Sequence, residues 1–553
     1  MTLQAEHLDQ ANTELAGLRL QVTAACSSIK ARCSVAGKLD AKLLDDWQLC
    51  SFELAFCMAE LTAANAFNDY ALKLRGEKFT QELALSFSAE TLQAVVGRLN
   101  ARAAEIDLDR ANLLGFYTRD VPRRLLEHYS SSELLSRLGR EISEGNIQRL
   151  PSLLSDEKEL VRETFYRFGK DVVMPLAEQI HRNDEDIPDA ILKAAAELGC
   201  FGTCIPERFG GLQPDDNPDS LGMIVVTEEL SRASLGAAGS LITRPEIAAR
   251  ALLCGGTQQQ QRRWLPSLAS GETLCAISIT EPNTGSDVAA VSLRATPTAK
   301  GWLLNGSKTW CTFAGRSELL VVLARSSEGS SLGHRGLSLF LVEKPAFAGH
   351  QFTHTQEGGG SISGKAIATI GYRGMHSYDL FFDDFFVPAE NLVGEKDGEG
   401  KGFYYTMAGF AGGRIQTAAR ATGVMQAAFE NALSYAKGRK VFGSAIADFQ
   451  LTQVKLARLL AKLTAAREFS YAVAALMDEG AGQMEASLVK LFSCRAAEMI
   501  CREALQIHGG MGYAEESAVS RLFVDARVLS IFEGAEEVLA IKVIARELIE
   551  KAP

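Results

Sequence analysis

The strongest constraint on the fold is a change of pattern along the chain, from long helical segments to short β-rich runs and back. Between Ala276 and about residue 395, runs such as "ELLVVLAR" and "YDLFFDDFFVP" are separated by glycine and proline, which is typical of an antiparallel β domain. Helical patterns precede this region, and long helices are predicted again at 416–438, about 450–478 and 484–507. Because strands and helices are segregated, the sequence predicts an α+β chain of discrete layers and not an alternating parallel sheet.

Composition and charge exclude several classes of function. The chain has 553 residues and a formal net charge of −11, which argues against nucleic acid as a partner because binding it needs a concentrated basic face. No apolar run approaches the roughly 18 residues of a membrane span, and the N-terminus lacks the pattern of a signal peptide. The 11 cysteines contain no CxxC pair, and the histidines show no metal-ligand spacing. We therefore expect a cytoplasmic protein without a metal site and without membrane insertion.

One stretch comes close to a phosphate-binding loop without satisfying it. "GGSISGKA" (359–366) nearly matches GxxxxGK[ST], but Ala366 stands where the motif needs a hydroxyl for Mg²⁺. The following "AIATIGYRG" favours an extended chain, not a helix whose N-terminus could hold phosphate. We predict a flexible loop at 359–366. A GxGxxG turn opening a helix and a GxSxG elbow are both missing, so the sequence supports neither a Rossmann site nor a nucleophile elbow.

The stretch "SIFEGAEEV" (530–538) holds three glutamates close to the start of a predicted helix. Acidic side chains near a helix N-terminus are stabilised by the exposed amides and the helix dipole, which accounts for Glu536 and Glu537. Glu533 is different because it follows the apolar Phe532 and precedes a glycine. The residues alone leave two interpretations of Glu533 open, a working base and a solvated charge.

Five stretches with matching order and spacing resemble the acyl-CoA dehydrogenase flavoprotein family: "ITEPNTGSD" (279–287), "LNGSKTWCT" (304–312), "GRKVFG" (438–443), "QIHGGMGY" (506–513) and "IFEGAEE" (531–537). The resemblance implies an acyl-CoA dehydrogenase-like fold, FAD as cofactor and an acyl-CoA substrate. It also implies four domains, of which the first is additional to the family plan: a helical N-terminal extension (1–147), a helical domain (148–273), a β domain (274–400) and a C-terminal helical bundle (401–553).

The reaction implied by the resemblance is α,β-desaturation of an acyl thioester, in which a base removes the α-proton while hydride leaves the β-carbon for flavin N5. Glu533 matches the family's base by its place before Gly534, which lets the backbone approach the substrate closely. Some members put the base on an upstream helix, just before an arginine that matches Arg414. Here Gly412 and Gly413 precede Arg414, and neither can accept a proton. We therefore predict that Glu533 is the base.

By the same resemblance, two groups of residues bind the cofactor. One group lies on the flavin side within the subunit, with Ser286 also placed for the CoA pyrophosphate: Ile277, Thr280, Gly285, Ser286, Trp310 and Thr312. The other reaches the FAD of a neighbouring subunit, which implies at least a homodimer: Arg439, Phe442, Gln450, Gln506, Gly509 and Gly510. The alternative for Trp310 is a core tryptophan of the β domain, and for Arg439 a cation at a helix end. Ala535 departs from the family, which usually has a threonine there that contacts the cofactor.

The extension and stretches such as "SLGHRGLSLFLVEK" resemble a branch of the family that converts (2S)-methylsuccinyl-CoA to mesaconyl-CoA in the ethylmalonyl-CoA pathway. This resemblance implies that Ser286, Arg414 and Gly534 contact the substrate. Arg244 is the only cation of "SLGAAGSLITRPE" and could bind the free carboxylate. A surface position or an ion pair is the alternative for Arg244, and a structural ion pair is the alternative for Arg414. The electron acceptor implied by the family is electron-transferring flavoprotein.

Three other functions stay open. A dehydrogenase of another short branched acyl-CoA, such as isobutyryl- or 2-methylbutyryl-CoA, needs an apolar pocket end. An acyl-CoA oxidase passes its electrons to oxygen and releases peroxide. Residues 1–147 could form an interaction module on a vestigial flavin site, or could cover a surface that other members use to form tetramers.

Overall fold

The chain forms two compact units in a computed structural model that describes residues 3–327, 330–410 and 412–553. The first unit combines the N-terminal segment up to Leu154 with the C-terminal segment from Thr417, and the second contains Ser155–Gln416. The helical extension therefore shares one unit with the C-terminal helices.

Helices dominate the first unit. Its N-terminal segment contains helices Leu3–Cys33, Ala41–Asp45, Gln48–Lys73, Lys78–Arg102, Arg110–Gly115, Asp120–Tyr129 and Ser132–Gly145. Its C-terminal segment contains most of Gly413–Gly438, then Gln450–Asp478, Gln483–His508, Ala518–Leu529, Glu536–Val538, a π-helical stretch at Leu539–Ala545, and Arg546–Lys551. The three long helices predicted after the β-rich region are confirmed, with small shifts at their ends.

The extension packs directly on the C-terminal helices of its own unit. The rings of Phe87 and Phe492 meet edge to face, with centroids 6.1 Å apart. Helix Ser132–Gly145 comes so close that a Cβ added to Gly139 would lie 1.9 Å from the carbonyl oxygen of Gln453. Any side chain at Gly139 would therefore force the two segments apart.

An eight-stranded sheet forms the centre of the second unit. Its strands are β1 (Cys275–Ser278), β2 (Arg294–Pro297), β3 (Gly301–Thr312), β4 (Leu319–Arg325), β5 (Leu337–Glu343), β6 (Gln351–Thr355), β7 (Ser361–Ala366) and β8 (Ser377–Pro388). The hydrogen-bonded order is β1–β4–β2–β3–β8–β7–β6, with β5 also paired to β4. Pairing is antiparallel except where β4 meets β1 and β2. Leu304, Val322 and Leu380 are fully buried in its core.

Helices precede and follow this sheet within the second unit. Before it lie Asp156–Phe168, a π-helical stretch at Gly169–Val173, Met174–Asn183, Asp189–Glu197, Ser220–Ala233, Thr243–Gly255 and Gln258–Ser270. After it lie the short helices Glu395–Gly398 and Gly402–Phe410. The α+β plan read from the sequence is confirmed. Within the described ranges, no helix combines the length and apolar character needed to cross a membrane.

The prediction of a flexible loop at 359–366 is wrong, because strand β7 occupies Ser361–Ala366 between β8 and β6. The reason is packing in the sheet. Ile362 is fully buried, and a Cβ on Gly364 would lie 2.2 Å from the ring of Phe352, so this glycine leaves room for an aromatic side chain. Tertiary contacts thus override the low strand propensity of a glycine- and serine-rich stretch.

Candidate active site

Glu533 lies in a tight turn between helix Ala518–Leu529 and the short helix Glu536–Val538. Its backbone is left-handed, with φ of +53°, which is uncommon for a residue that carries a side chain. Its N–H donates to no acceptor among the described residues. The side chain is 12% exposed, so the carboxylate is sheltered but still reaches the surface. The predicted base therefore combines a strained backbone, an accessible carboxylate and an available amide.

Three side chains that sequence reasoning missed hold this turn. Arg420 Nη2 donates to Oε1 of Glu533 at 2.6 Å, and Thr417 Oγ1 donates to Oε2 at 3.0 Å. Lys490 Nζ donates to the backbone carbonyls on either side of Glu533, at 2.9 and 2.5 Å. The spacing of Thr417 and Arg420 places them on one helix face, which is the only signal of this arrangement in the sequence.

A second buried carboxylate stands beside Gly412, two residues before Arg414. A Cβ on Gly412 would lie 2.0 Å from Oε1 of Glu246, so this carboxylate fills the space beside the glycine. Glu246 is fully buried and accepts a hydrogen bond from Arg250 Nε at 2.8 Å. The sequence gives no sign that Glu246 lies beside Gly412.

In the second unit, β3 carries Trp310 and Thr312 beside the loop that begins at Thr280. The Thr309 N–H donates to the Thr280 carbonyl at 2.9 Å, which joins strand and loop. The Trp310 indole is 55% exposed, so it is not a core tryptophan. The Thr312 hydroxyl lies 3.0 Å from Ser377 Oγ. An exposed indole two residues from a hydroxyl offers both an apolar face and a hydrogen-bonding group, which fits an isoalloxazine ring.

A buried ion pair supports the same loop. Lys308 Nζ donates to Glu281 Oε1 at 2.9 Å and to the Ile279 carbonyl at 2.8 Å. Burial lowers the pKa of Lys308 to about 8, which leaves it protonated at neutral pH. Burial by itself would raise the pKa of Glu281. The Lys308 charge and hydrogen bonds from residues 292 and 293 outweigh burial and lower that pKa. The remaining predicted flavin-side residues are half-buried or exposed: Ile277, Thr280, Gly285 and Ser286.

The residues predicted to reach a neighbouring subunit are all exposed on the first unit: Arg439, Phe442, Gln450, Gln506, Gly509 and Gly510. The rings of Tyr435 and His508 stack with centroids 4.2 Å apart, which brings the ends of two long helices together. Arg439 follows Tyr435 in sequence and Gln506 precedes His508, so the two residues lie in one region. The side chain of Phe442 is 99% exposed.

Arg244 is buried, with 8% of its surface exposed. Its guanidinium donates to the Ser240 carbonyl at 2.5 Å and to the Tyr372 hydroxyl at 2.8 Å, and it lies 3.9 Å from Met375 Sδ. Among the described residues, no carboxylate pairs with it. Arg244 therefore lies neither at the surface nor in an ion pair with another described residue. Arg414 is half-buried in the second unit.

A small cavity of about 10 Å³ adjoins Arg244, with Phe313 and Met375 among its walls. Such a volume has room for about one water molecule. Phe313 directly follows Thr312, so the cavity lies one residue along the chain from the hydroxyl predicted to bond the flavin.

One group of potential metal ligands occurs among the described residues of the second unit. Asp184, His350 and His376 present donor atoms within 4.8 Å of one another. The Arg373 Nε atom lies 3.6 Å from Asp184 Oδ1 and already compensates that carboxylate. Burial lowers the pKa of His376, whose ring also lies 3.6 Å from Asp186 Oδ1. We assign no metal to this group.

Comparison with known proteins identifies the family. Three family models match consecutive parts of the chain: the acyl-CoA dehydrogenase N-terminal domain over 155–272, the middle domain over 276–385 and the C-terminal domain over 400–549. The chain is similar to (2S)-methylsuccinyl-CoA dehydrogenase of Cereibacter sphaeroides, at 39% identity over 539 residues and 95% of each chain. It is 33% identical to the caffeyl-CoA reductase-Etf complex subunit CarC of Acetobacterium woodii, over 69% of this chain and 96% of that one.

Among solved structures, butyryl-CoA dehydrogenase of Megasphaera elsdenii matches with a TM-score of 0.65 and 30% identity, over 72% of this chain and 100% of that one. The family models together cover most of residues 155–549. The chain therefore belongs to the acyl-CoA dehydrogenase family, and it is an FAD-dependent acyl-CoA dehydrogenase.

Proposed function

We propose that the enzyme oxidises (2S)-methylsuccinyl-CoA to mesaconyl-CoA, with Glu533 as the base that removes the α-proton. The observation that carries the reaction is the turn at Glu533, where a carboxylate and an available backbone N–H belong to one residue. FAD, when bound, accepts the hydride that leaves the β-carbon.

A base for this step must be ionised, oriented and able to reach a substrate. Arg420 donates a charge-assisted hydrogen bond to one oxygen of Glu533 at 2.6 Å, and Thr417 orients the second oxygen. The partial exposure of Glu533 supports access. Glu246 is fully buried, so it is the weaker candidate.

The α-proton of a thioester is weakly acidic, so the charge that develops on the carbonyl oxygen needs a preorganised donor. The N–H of Glu533 is available for this purpose. Lys490 fixes its direction by binding the carbonyls on both sides. In our proposal this N–H donates to the thioester oxygen, and Ser286, Arg414 and Gly534 contact the rest of the substrate.

The choice of substrate rests on similarity over 95% of the chain and on Arg244. Methylsuccinyl-CoA has a free carboxylate, and burying an unpaired charge is very costly. A buried guanidinium that lacks a carboxylate partner among the described residues would supply charge-assisted donors for it. Because the adjoining cavity measures only about 10 Å³, a carboxylate can enter only if a wall residue moves, and the flexible Met375 is suited to that.

The proposal includes two protein partners. The exposed ring of Phe442 and its exposed neighbours support a homo-oligomer in which one subunit completes the FAD site of another. Similarity to a protein named as a subunit of an Etf complex supports electron-transferring flavoprotein as the electron acceptor.

Steady-state oxidation of a panel of acyl-CoA substrates tests the proposal. We expect kcat/KM for methylsuccinyl-CoA to exceed that for isobutyryl- and 2-methylbutyryl-CoA by about 100-fold, because only the first has a carboxylate for Arg244. Arg244→Met should remove most of this preference. The matched control Arg263→Met, at an exposed arginine, should leave it unchanged.

Two outcomes would contradict the proposal. A higher kcat/KM for isobutyryl- or 2-methylbutyryl-CoA would replace the substrate and leave the family intact. Peroxide release equal to substrate consumed, without any other acceptor, would identify an oxidase.

A further inference from the structure

Arg420 is the largest of the fully buried side chains that the structure describes, and its guanidinium contacts the catalytic turn. Its Nη2 donates to Glu533 Oε1 at 2.6 Å and to Thr417 Oγ1 at 2.7 Å. Its guanidinium carbon also lies 4.6 Å from the centre of the Phe532 ring. Thr417 Oγ1 donates in turn to Glu533 Oε2 at 3.0 Å, which closes a ring of three side chains.

We propose that Arg420 is a positioning residue that holds a positive charge against the Glu533 carboxylate and fixes its direction for removal of the α-proton. The inference rests on the proposed function, because it assumes that Glu533 is the base. It assigns to Arg420 an effect on proton transfer that an ordinary structural ion pair would not have.

The hydrogen bonds leave Glu533 able to react. An ionised carboxylate has about four acceptor sites on its two oxygens. Arg420 and Thr417 occupy one site on each oxygen, and no other side chain among the described residues bonds to this carboxylate. A lone pair therefore stays available for the substrate proton while the contacts with Arg420 and Thr417 persist.

Lys490 acts on the same turn in a different way. It bonds the carbonyls that flank Glu533, and so it acts on the backbone of the turn. Other titratable groups near the turn are Cys494 and Glu498 on the helix of Lys490. Burial raises the pKa of Cys494 to about 12, so the thiol is neutral at working pH. Arg420 is thus the one charged group in hydrogen-bond contact with the carboxylate among the described residues.

This geometry has a consequence for pH dependence. A cation beside a carboxylate favours its ionised form, so a neutral side chain at position 420 favours the protonated form, which cannot act as a base. The acid limb of the pH profile, where the rate falls as the pH drops, should then move to higher pH. Arg420→Lys keeps the charge but not the planar guanidinium, and Thr417→Val removes the hydrogen bonds of the Thr417 hydroxyl but no charge.

The test measures the rate of flavin bleaching after anaerobic mixing of FAD-loaded enzyme with methylsuccinyl-CoA, from pH 5 to pH 9. For Arg420→Gln we expect a rate lowered about 30-fold at pH 7 and an acid limb shifted upward by about one pH unit or more. For Arg420→Lys we expect a lower rate with the limb near its wild-type position. For Thr417→Val we expect a several-fold loss of rate and no shift.

An Arg420→Gln enzyme that binds FAD and keeps the wild-type limb would overturn the inference. If that variant does not fold, Arg420→Lys decides, because an unchanged rate at every pH would show that the guanidinium geometry has no role. The underlying function fails in a different way: Glu533→Gln would then still bleach the flavin. If Glu533→Gln is inactive and the acid limb of Arg420→Gln is not shifted, only the inference on Arg420 fails, and the proposed function stands.

Discussion

Two residues show the local constraints on carboxylates in this enzyme: Glu533, the proposed base, and Gly412, which lies against the buried Glu246. Glu533 accepts a left-handed backbone, at a cost of roughly 1–2 kcal/mol, and its carboxylate contacts Arg420 and Thr417. At Gly412 the carboxylate of Glu246 already occupies the space that a side chain would need. A side chain at position 412 would therefore clash with Glu246.

We predict that Gly412→Ala destabilises the enzyme, because the new Cβ would lie 2.0 Å from Oε1 of the buried Glu246. Overpacking of this kind costs about 1–3 kcal/mol and should lower the midpoint of thermal unfolding. The control is Gly438→Ala, since a Cβ there meets nothing within 4 Å. Equal midpoints for the two variants would contradict the steric account.

Strand β3 and the loop after β1 depend on one buried ion pair. Lys308 is fully buried, and Glu281 accepts hydrogen bonds from Lys308, Ser292 and Leu293. The pair connects the strand that carries Trp310 to the loop that the family resemblance assigns to the flavin.

We predict that Lys308→Met lowers both stability and FAD retention. It leaves the Glu281 charge buried and unpaired, a change that typically costs about 3–5 kcal/mol. Thermal unfolding and the flavin-to-protein ratio after gel filtration measure the effect. Lys365→Met, at an exposed lysine of β7, is the control and should resemble wild type. A Lys308→Met enzyme with full flavin content would mean that the pair does not hold the loop.

The segment after helix Met174–Asn183 meets the start of β8 through charged groups. His376 faces Asp184 and Asp186, with His350 and Arg373 beside them. Burial lowers the pKa of His376 from its ordinary value of 6.5. Between that value and the lower folded pKa, the unfolded chain binds a proton that the folded state does not.

We therefore predict that stability falls as the pH drops below about 6.5, and that His376 accounts for part of the loss. Unfolding midpoints at pH 7.5 and 5.5 should differ less in His376→Asn than in wild type. His128→Asn, at an exposed histidine of the extension, should keep the wild-type difference. If His376→Asn also keeps the wild-type difference between the two midpoints, His376 does not contribute to acid sensitivity.

Local patterns were enough to predict the long helices, because helical periodicity depends on residues close in sequence. Helix Gln450–Asp478 matches its predicted bounds. Strand β7 was missed because its burial comes from partners on other strands. The contact of Arg420 with Glu533 joins residues 113 positions apart, so no local pattern contains it. Family resemblance supplied Glu533, but its supporting residues became visible only in the structure.

The first unit as a whole is built from both ends of the chain. Residues of the extension such as Phe87 contact C-terminal residues such as Phe492. Deleting residues 1–147 would therefore uncover apolar surface on the C-terminal helices, and a deletion alone does not isolate the effect of the extension on assembly. A single substitution at the contact is the cleaner perturbation.

We predict that Gly139→Ala weakens docking of the extension, because its Cβ would lie 1.9 Å from the carbonyl oxygen of Gln453. Thermal unfolding should occur at lower temperature, and light scattering reports whether the assembly changes with it. Gly97→Ala is the matched control within a helix of the extension, since nothing lies within 4 Å of its added Cβ. A stable Gly139→Ala variant with unchanged assembly would contradict this account of docking.

The most direct test of the central claim is anaerobic mixing of methylsuccinyl-CoA with the FAD-loaded wild-type enzyme and with Glu533→Gln, while the oxidised flavin bands are recorded. We predict rapid bleaching in the wild type and none in the variant on the same timescale, because the variant lacks the proposed base for the α-proton. Bleaching at similar rates in both proteins would contradict it and would make the buried carboxylate of Glu246 the next residue to replace.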